Sequence, residues 1–85
     1  MIRDVACAPI AEAVAASGES MTDIAMRLDW FTHHGRADGP RVRRRLGLLA
    51  SAARSGPPVK QTHMSYNMAV AICRAALIDP FEVGL

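Results

Sequence analysis

The sequence predicts an all-α domain of four to five short helices that contains a helix-turn-helix, and three observations carry that expectation. Apolar residues recur at three- and four-residue spacing, as one buried helix face requires. Serine, aspartate and proline stand at the starts of these runs, where helices need caps and tolerate proline. Aromatic residues make up only 5 % of the chain and alanine is abundant, which suits close helix packing better than a β-sandwich or barrel.

The 85 residues are read as a single domain, 1–85. A chain this short builds one modest core. No apolar stretch approaches the length of a membrane span, and Asp4, Pro9 and Glu12 interrupt any leader-like run at the N-terminus. The expectation is therefore a cytoplasmic protein with no membrane partner. Cys7 and Cys73 each lie among alanines, where a free cysteine acts as a small hydrophobe. A disulfide between them is chemically open but unusual in the cytosol.

Helix one is expected from Pro9 to Ser17, with Ile10, Ala13 and Val14 on one face and Gly18 as the stop. Helix two begins after Ser20, whose hydroxyl lies three residues before Asp23, close to a capping box. It is expected to reach about Trp30, with Met21, Ile24, Ala25 and Leu28 as its apolar stripe and Asp23–Arg27 as an i,i+4 ion pair. Phe31 to Gly39 contains two glycines and polar residues, and reads as a loop. Helix three opens at Asp38-Gly39-Pro40 and spans about 40–49, held by Val42, Leu46 and Leu49. On that register Arg41 and Arg44 point outward, with Arg43 and Arg45 on the flanks.

Ser51 to His63 contains Gly56-Pro57-Pro58 and reads either as a plain loop or as a short hairpin-like wing between helices three and four, with Val59–Thr62 as its strand. Helix four follows Ser65 and runs to about Leu77, its apolar surface made by Met68, Ala69, Ile72, Ala75 and Ala76. Asp79-Pro80-Phe81-Glu82 opens a last turn, from which Phe81 and Leu85 are expected to return to the core. Trp30 and Phe31 read as core or hinge packing, and Met21, Met26, Met64 and Met68 as core filler.

Charge is distributed unevenly. Arg36 to Lys60 holds seven basic residues and one acid, Asp38, while the remainder holds three basic residues and seven acids. Such asymmetry concentrates positive potential where a polyanion would bind. The major groove admits a helix held by a core on one side and offering donors on the other. Arginine serves both phosphate, as a cation, and guanine, as a bidentate donor. The DNA-binding candidates are Arg36, Arg41, Arg43, Arg44, Arg45, Lys60, Thr32 and His34. Set against this are plainer readings: a solvated helix face, or a surface for an acidic protein or RNA, for the arginines, and a polar loop for His33, His34, Lys60, Gln61 and His63. A zinc site has little support, because no Cys-x-x-Cys or His-x-x-x-His spacing occurs.

Thr22-Asp-Ile-Ala-Met-Arg-Leu28 resembles the first helix of the helix-turn-helix in lambda-repressor-like (Cro-type) domains. Ser65-Tyr-Asn-Met-Ala-Val-Ala-Ile-Cys-Arg-Ala-Ala-Leu77-Ile-Asp-Pro-Phe-Glu-Val83 is similar to their closing part, a helix ending in Ala-Leu before an Asp-Pro turn. The resemblance covers roughly Ser20 to Leu85 and is of the sort found in small regulators of actinobacterial phages. It implies sequence-specific DNA binding with Arg41, Arg43, Arg44 and Arg45 at the recognition-helix position. The family joins its two helices by a turn of about three or four residues; here Phe31 to Gly39 intervene.

The expected function is thus a double-stranded-DNA-binding transcriptional regulator of repressor, Cro-like or excision-factor type, active as a monomer or a homodimer. The rival is a small helical protein-interaction module, antitoxin-like or an inhibitor of a host protein. No enzyme is expected, since the chain offers no phosphate-binding loop, nucleophile–base pair or facing carboxylates. No cofactor, metal or small-molecule substrate is expected either.

Overall fold

A computed structural model describes residues 3–47 and 63–85. β1 (Asp4–Ala6) runs directly into α1 (Cys7–Ser17). α2 (Met21–Arg27) and α3 (Gly39–Arg45) follow. β2 (His63–Ser65) runs directly into α4 (Tyr66–Ala75), and a 3-10 turn spans Pro80–Val83.

The fold is mostly helical but not all-α, because β1 and β2 pair antiparallel with Asp4 opposite Ser65, Val5 opposite Met64 and Ala6 opposite His63. Three-residue strands hold a single in–out alternation, too little to leave a visible period of two in the sequence. Their role is local and physical. Each strand is the lead-in to a helix, and pairing the two lead-ins satisfies backbone groups that precede both first turns. The expected wing, its strand Val59–Thr62, and Lys60 and Leu49 lie outside the described residues.

Caps explain where the helices begin and end. Ser20 Oγ accepts from the Asp23 N–H at 3.0 Å, and Ser65 Oγ accepts from the Met68 N–H at 3.2 Å. α1 stops at Gly18, whose φ of 77° is reached without steric penalty only by glycine. α1 starts two residues earlier than expected, so Pro9 falls in its first turn, where a missing N–H removes no helical bond. α2 ends at Arg27 rather than near Trp30. Asp29 takes a left-handed φ of 61°, and the Trp30 N–H returns to the Ala25 carbonyl at 2.9 Å, closing the helix in a Schellman turn.

The core gathers Ile10 and Val14 from α1, Ile24 and Ala25 from α2, Val42 and Leu46 beside and in α3, Met64 from β2, and Ala69, Ile72, Cys73, Ala75 and Ala76 at α4. Each large aliphatic side chain withdrawn this way contributes about 1.5–3 kcal/mol. Both cysteines are free and buried, and the Cys7 thiol donates to the Arg45 carbonyl at 3.5 Å. Met21 and Met68 pack against the core as expected, but Met26 is half exposed.

Two side-chain expectations are corrected. Arg27 pairs with Glu19 at 3.3 Å rather than with Asp23, and its guanidinium also donates to the Ala75 carbonyl at 2.8 Å. It thereby ties α2 to the negative end of α4. Phe81 does not return to the core and is 84 % exposed. The Asp79 carboxylate caps the Phe81 N–H at 3.0 Å, and the threefold repeat of a 3-10 turn then turns Val83 inward and Phe81 outward. Val83 and Leu85 pack on the core in its place.

Candidate nucleic-acid interface

α3 is set by its start. Asp38 Oδ1 accepts from the Arg41 N–H at 3.1 Å, and Pro40 occupies the first turn. Gly39 is buried against the beginning of α2. A Cβ there would stand 3.4 Å from both the Met21 Cβ and the Thr22 nitrogen. The two helices therefore meet at their N-terminal ends.

Val42 and Leu46 hold the inner side of α3 in the core. The helix closes at Arg45, with Leu46 as cap and Gly47 at φ 76°, so it is shorter than the expected 40–49. Residues 43 and 44 are exposed, while Arg41 and Arg45 are half-buried. This revises the expected division of the run by face. Arg44 is outward as expected, and Arg43 joins it. Arg41 instead lies over the Trp30 ring, with its guanidinium carbon 4.3 Å from the ring centroid.

The segment before α3 is a hairpin rather than an irregular loop. Phe31 and Ala37 form an antiparallel bridge, and the Asp38 N–H donates to the Trp30 carbonyl at 2.9 Å. Inside it, the Thr32 N–H donates to the Arg36 carbonyl at 2.7 Å and the Gly35 N–H to the Thr32 carbonyl at 2.9 Å. Gly35 sits at φ 81°, which the tight reversal requires. Thr32 Oγ1 accepts from the Arg36 N–H at 3.3 Å, so that hydroxyl builds the turn.

The hairpin tip presents His33, His34 and Arg36 to solvent. The two imidazoles sit 3.9 Å apart, tilted by 42°. Phe31, Thr32, His33, His34, Arg36 and Asp38 line an open depression beside them.

The sequence-predicted residues thus fall into three groups. Arg43, Arg44, Arg36 and His34 are exposed, on the end of α3 and on the hairpin that leads into it. Arg41, Arg45 and Thr32 are half-buried, Arg41 on an indole face and Thr32 within the turn. Lys60 lies outside the described residues. Among the described residues, no carboxylate comes within ion-pair distance of Arg36, Arg41, Arg43, Arg44 or Arg45, whereas Arg27 is neutralised by Glu19. Among the described residues, the arginines of α3 and the hairpin thus keep their positive charge without an ion-pair partner.

Trp30 is the residue that sequence reasoning missed as part of this surface. Its contact depends on the hairpin register, which sets Trp30 opposite Asp38 and so brings Arg41 above the ring. Thr32 and Gly35, three residues apart in a polar segment, were the available sign of that turn.

Among the described residues, no three His, Cys, Asp or Glu side chains gather closely enough to hold a metal ion, and no helix is long and apolar enough to cross a membrane. Comparison with protein-family models, curated proteins and solved structures finds no match to this chain.

Proposed function

We propose that this chain is a sequence-specific duplex-DNA-binding regulator, of repressor, Cro-like or excision-factor type, acting in the cytoplasm of a bacterial or phage-infected cell. The observation that carries the reading is the pair of exposed arginines, Arg43 and Arg44, unpaired among the described residues, on a helix whose other side is locked into the core by Val42 and Leu46. A rigid helix with donors on its free side is the form in which a protein enters the major groove. Arg36 on the adjoining hairpin adds a cation suited to the phosphate backbone. The likeness of Thr22–Leu28 and Ser65–Val83 to lambda-repressor-like domains points the same way. The hairpin stands where those domains have a tight turn, so α3 and the hairpin tip are read as one contact surface.

The test is selection of bound sites from a random duplex pool, followed by titration at two salt concentrations. Recovery of a common motif, with affinity falling as salt rises, is the expected result. Replacing Arg44 by Ala should weaken the selected site by about 1–3 kcal/mol and relax preference at one base pair. An Arg43→Ala, Arg44→Ala double variant that binds the selected duplex as well as the parent overturns the assignment of α3.

Leu77 and Phe81, 70 % and 84 % exposed, favour a second reading: a small helical module that docks a partner protein through this apolar pair. Absence of any retained duplex at low salt would select that reading over DNA binding.

A further inference from the structure

The Trp30–Arg41 pair is anchored to the fold from both sides. Trp30 is fixed through both of its backbone groups, its N–H by the Ala25 carbonyl at 2.9 Å and its C=O by the Asp38 N–H at 2.9 Å. Its side chain packs against the core. Arg41 is fixed from the other side, since its N–H donates to both the Asp38 carboxylate and the Asp38 carbonyl, each at 3.1 Å. The guanidinium then lies over the indole, 4.3 Å from the centroid.

Arginine stacks readily on aromatic faces, and a guanidinium placed this way can still offer N–H donors to a ligand. Among the described residues no acceptor takes those N–H groups, and no carboxylate neutralises the charge. The result is a guanidinium seated on the indole, its donors unclaimed among the described residues, within one helical turn of the exposed Arg43 and Arg44.

We propose that Trp30 is a positioning residue for DNA recognition: its indole ring holds Arg41 so that the guanidinium edge meets a pair of acceptors on the duplex. The proposal rests on the DNA-binding reading above. The acceptors share one chemistry, two oxygens or an oxygen and a nitrogen about one fork apart, supplied by a phosphate or by the O6/N7 edge of guanine. Holding the fork before contact removes the loss of rotamer freedom that a free arginine suffers on binding. Trp30 would thus act on affinity without touching the nucleic acid.

The experiment is a double-mutant cycle on the duplex recovered by site selection, with far-UV circular dichroism on each variant to confirm helical content. Trp30→Leu removes the aromatic face and should weaken binding about 3- to 10-fold. Trp30→Phe retains an aromatic face and should stay within about 2-fold of the parent. In an Arg41→Ala background, Trp30→Leu should produce no further loss, because the residue it positions is gone. A Trp30→Leu loss of equal size in both backgrounds would mean that Trp30 only supports the fold, and it overturns the proposal. So does a Trp30→Leu variant that binds like the parent.

Arg41→Lys keeps the charge but not the fork, and should behave like Arg41→Ala in the cycle. Two further readouts separate the acceptors. Loss of preference at one base pair on removing Arg41 assigns guanine, and a salt slope reduced by about one with preference unchanged assigns phosphate. Trp30 is the chain's one tryptophan, so its emission reports the stack directly. A spectral change in Arg41→Ala without DNA is expected, and its absence counts against the stack. Failure of the parent protein to retain any duplex overturns the DNA-binding reading itself, and is distinct from every outcome above.

Discussion

Leu77 is held at φ 60°, a left-handed conformation in which its Cβ crowds the following carbonyl. The position follows from how α4 ends. The Leu77 N–H donates to the Arg74 carbonyl at 3.1 Å and the Ile78 N–H to the Cys73 carbonyl at 2.8 Å, a Schellman closure that glycine usually occupies. Its side chain is 70 % exposed and contributes little burial to offset the strain. Leu77→Gly should therefore raise stability by about 0.5–1 kcal/mol, read as a higher midpoint in urea with an unchanged slope. Burial has the opposite kind of effect at the two cysteines, where it pushes both thiols above their ordinary value of 9.0. The folded chain keeps these protons where the unfolded chain releases them, so this contribution is fully present below that value and is lost as pH rises above it. The urea midpoint should fall on going from about pH 8 to about pH 10, and a Cys73→Ala variant should flatten that fall. Residue-scale features were unevenly legible. The caps at Ser20, Asp38, Ser65 and Asp79 could be read directly, because each acts within three residues of itself. The left-handed Leu77 could not, because an apolar Ala-Leu-Ile run gives no sign of where a helix turns back.

The elements were legible to the extent that they are periodic. α1, α2 and α4 show their buried faces at three- and four-residue spacing, and the core residues Ile10, Val14, Ile24, Ala25, Ala69 and Ile72 fall where that spacing puts them. α3 was placed but overlong, because Leu46 extends its stripe while Gly47 ends it. In the sequence the hairpin looks like a loop, since its backbone pairing depends on hydrogen bonds between main-chain groups rather than on side-chain pattern. The close meeting of α2 and α3 gives this scale its own prediction. Gly39 leaves just enough space for one carbon beside Met21 and Thr22. Gly39→Ala should be tolerated, while Gly39→Val should force the helices apart and destabilise the protein by about 1–3 kcal/mol. Thermal unfolding of the two variants checks this, and a Gly39→Val protein as stable as the Ala variant contradicts the packing described.

At the scale of the whole molecule, charge separates from the core. Arg36, Arg43 and Arg44 are exposed without a carboxylate partner among the described residues, and Arg41 keeps its charge on the indole face. If these four cations meet phosphates, the slope of log K against log salt should be about −3 to −4. A slope near zero would show that the surface meets something other than a polyanion. The uneven distribution of charge was visible in the sequence from the start, but its arrangement was not, because it depends on which arginines the hairpin and Trp30 hold.

The pairing of β1 with β2 also decides when the molecule is able to fold. Val5 meets Met64 only after about 60 intervening residues have been made, and closing so long a loop is entropically unfavourable before its contacts form. The two strands lead into α1 and α4, so two segments far apart in the chain must meet to complete the seating of both helices. During synthesis the basic helix would leave the ribosome well ahead of the strand and helix that complete its core. Refolding should accordingly be slower than that of a bundle whose neighbouring helices meet in sequence, and slowest in variants that weaken the Val5–Met64 pair.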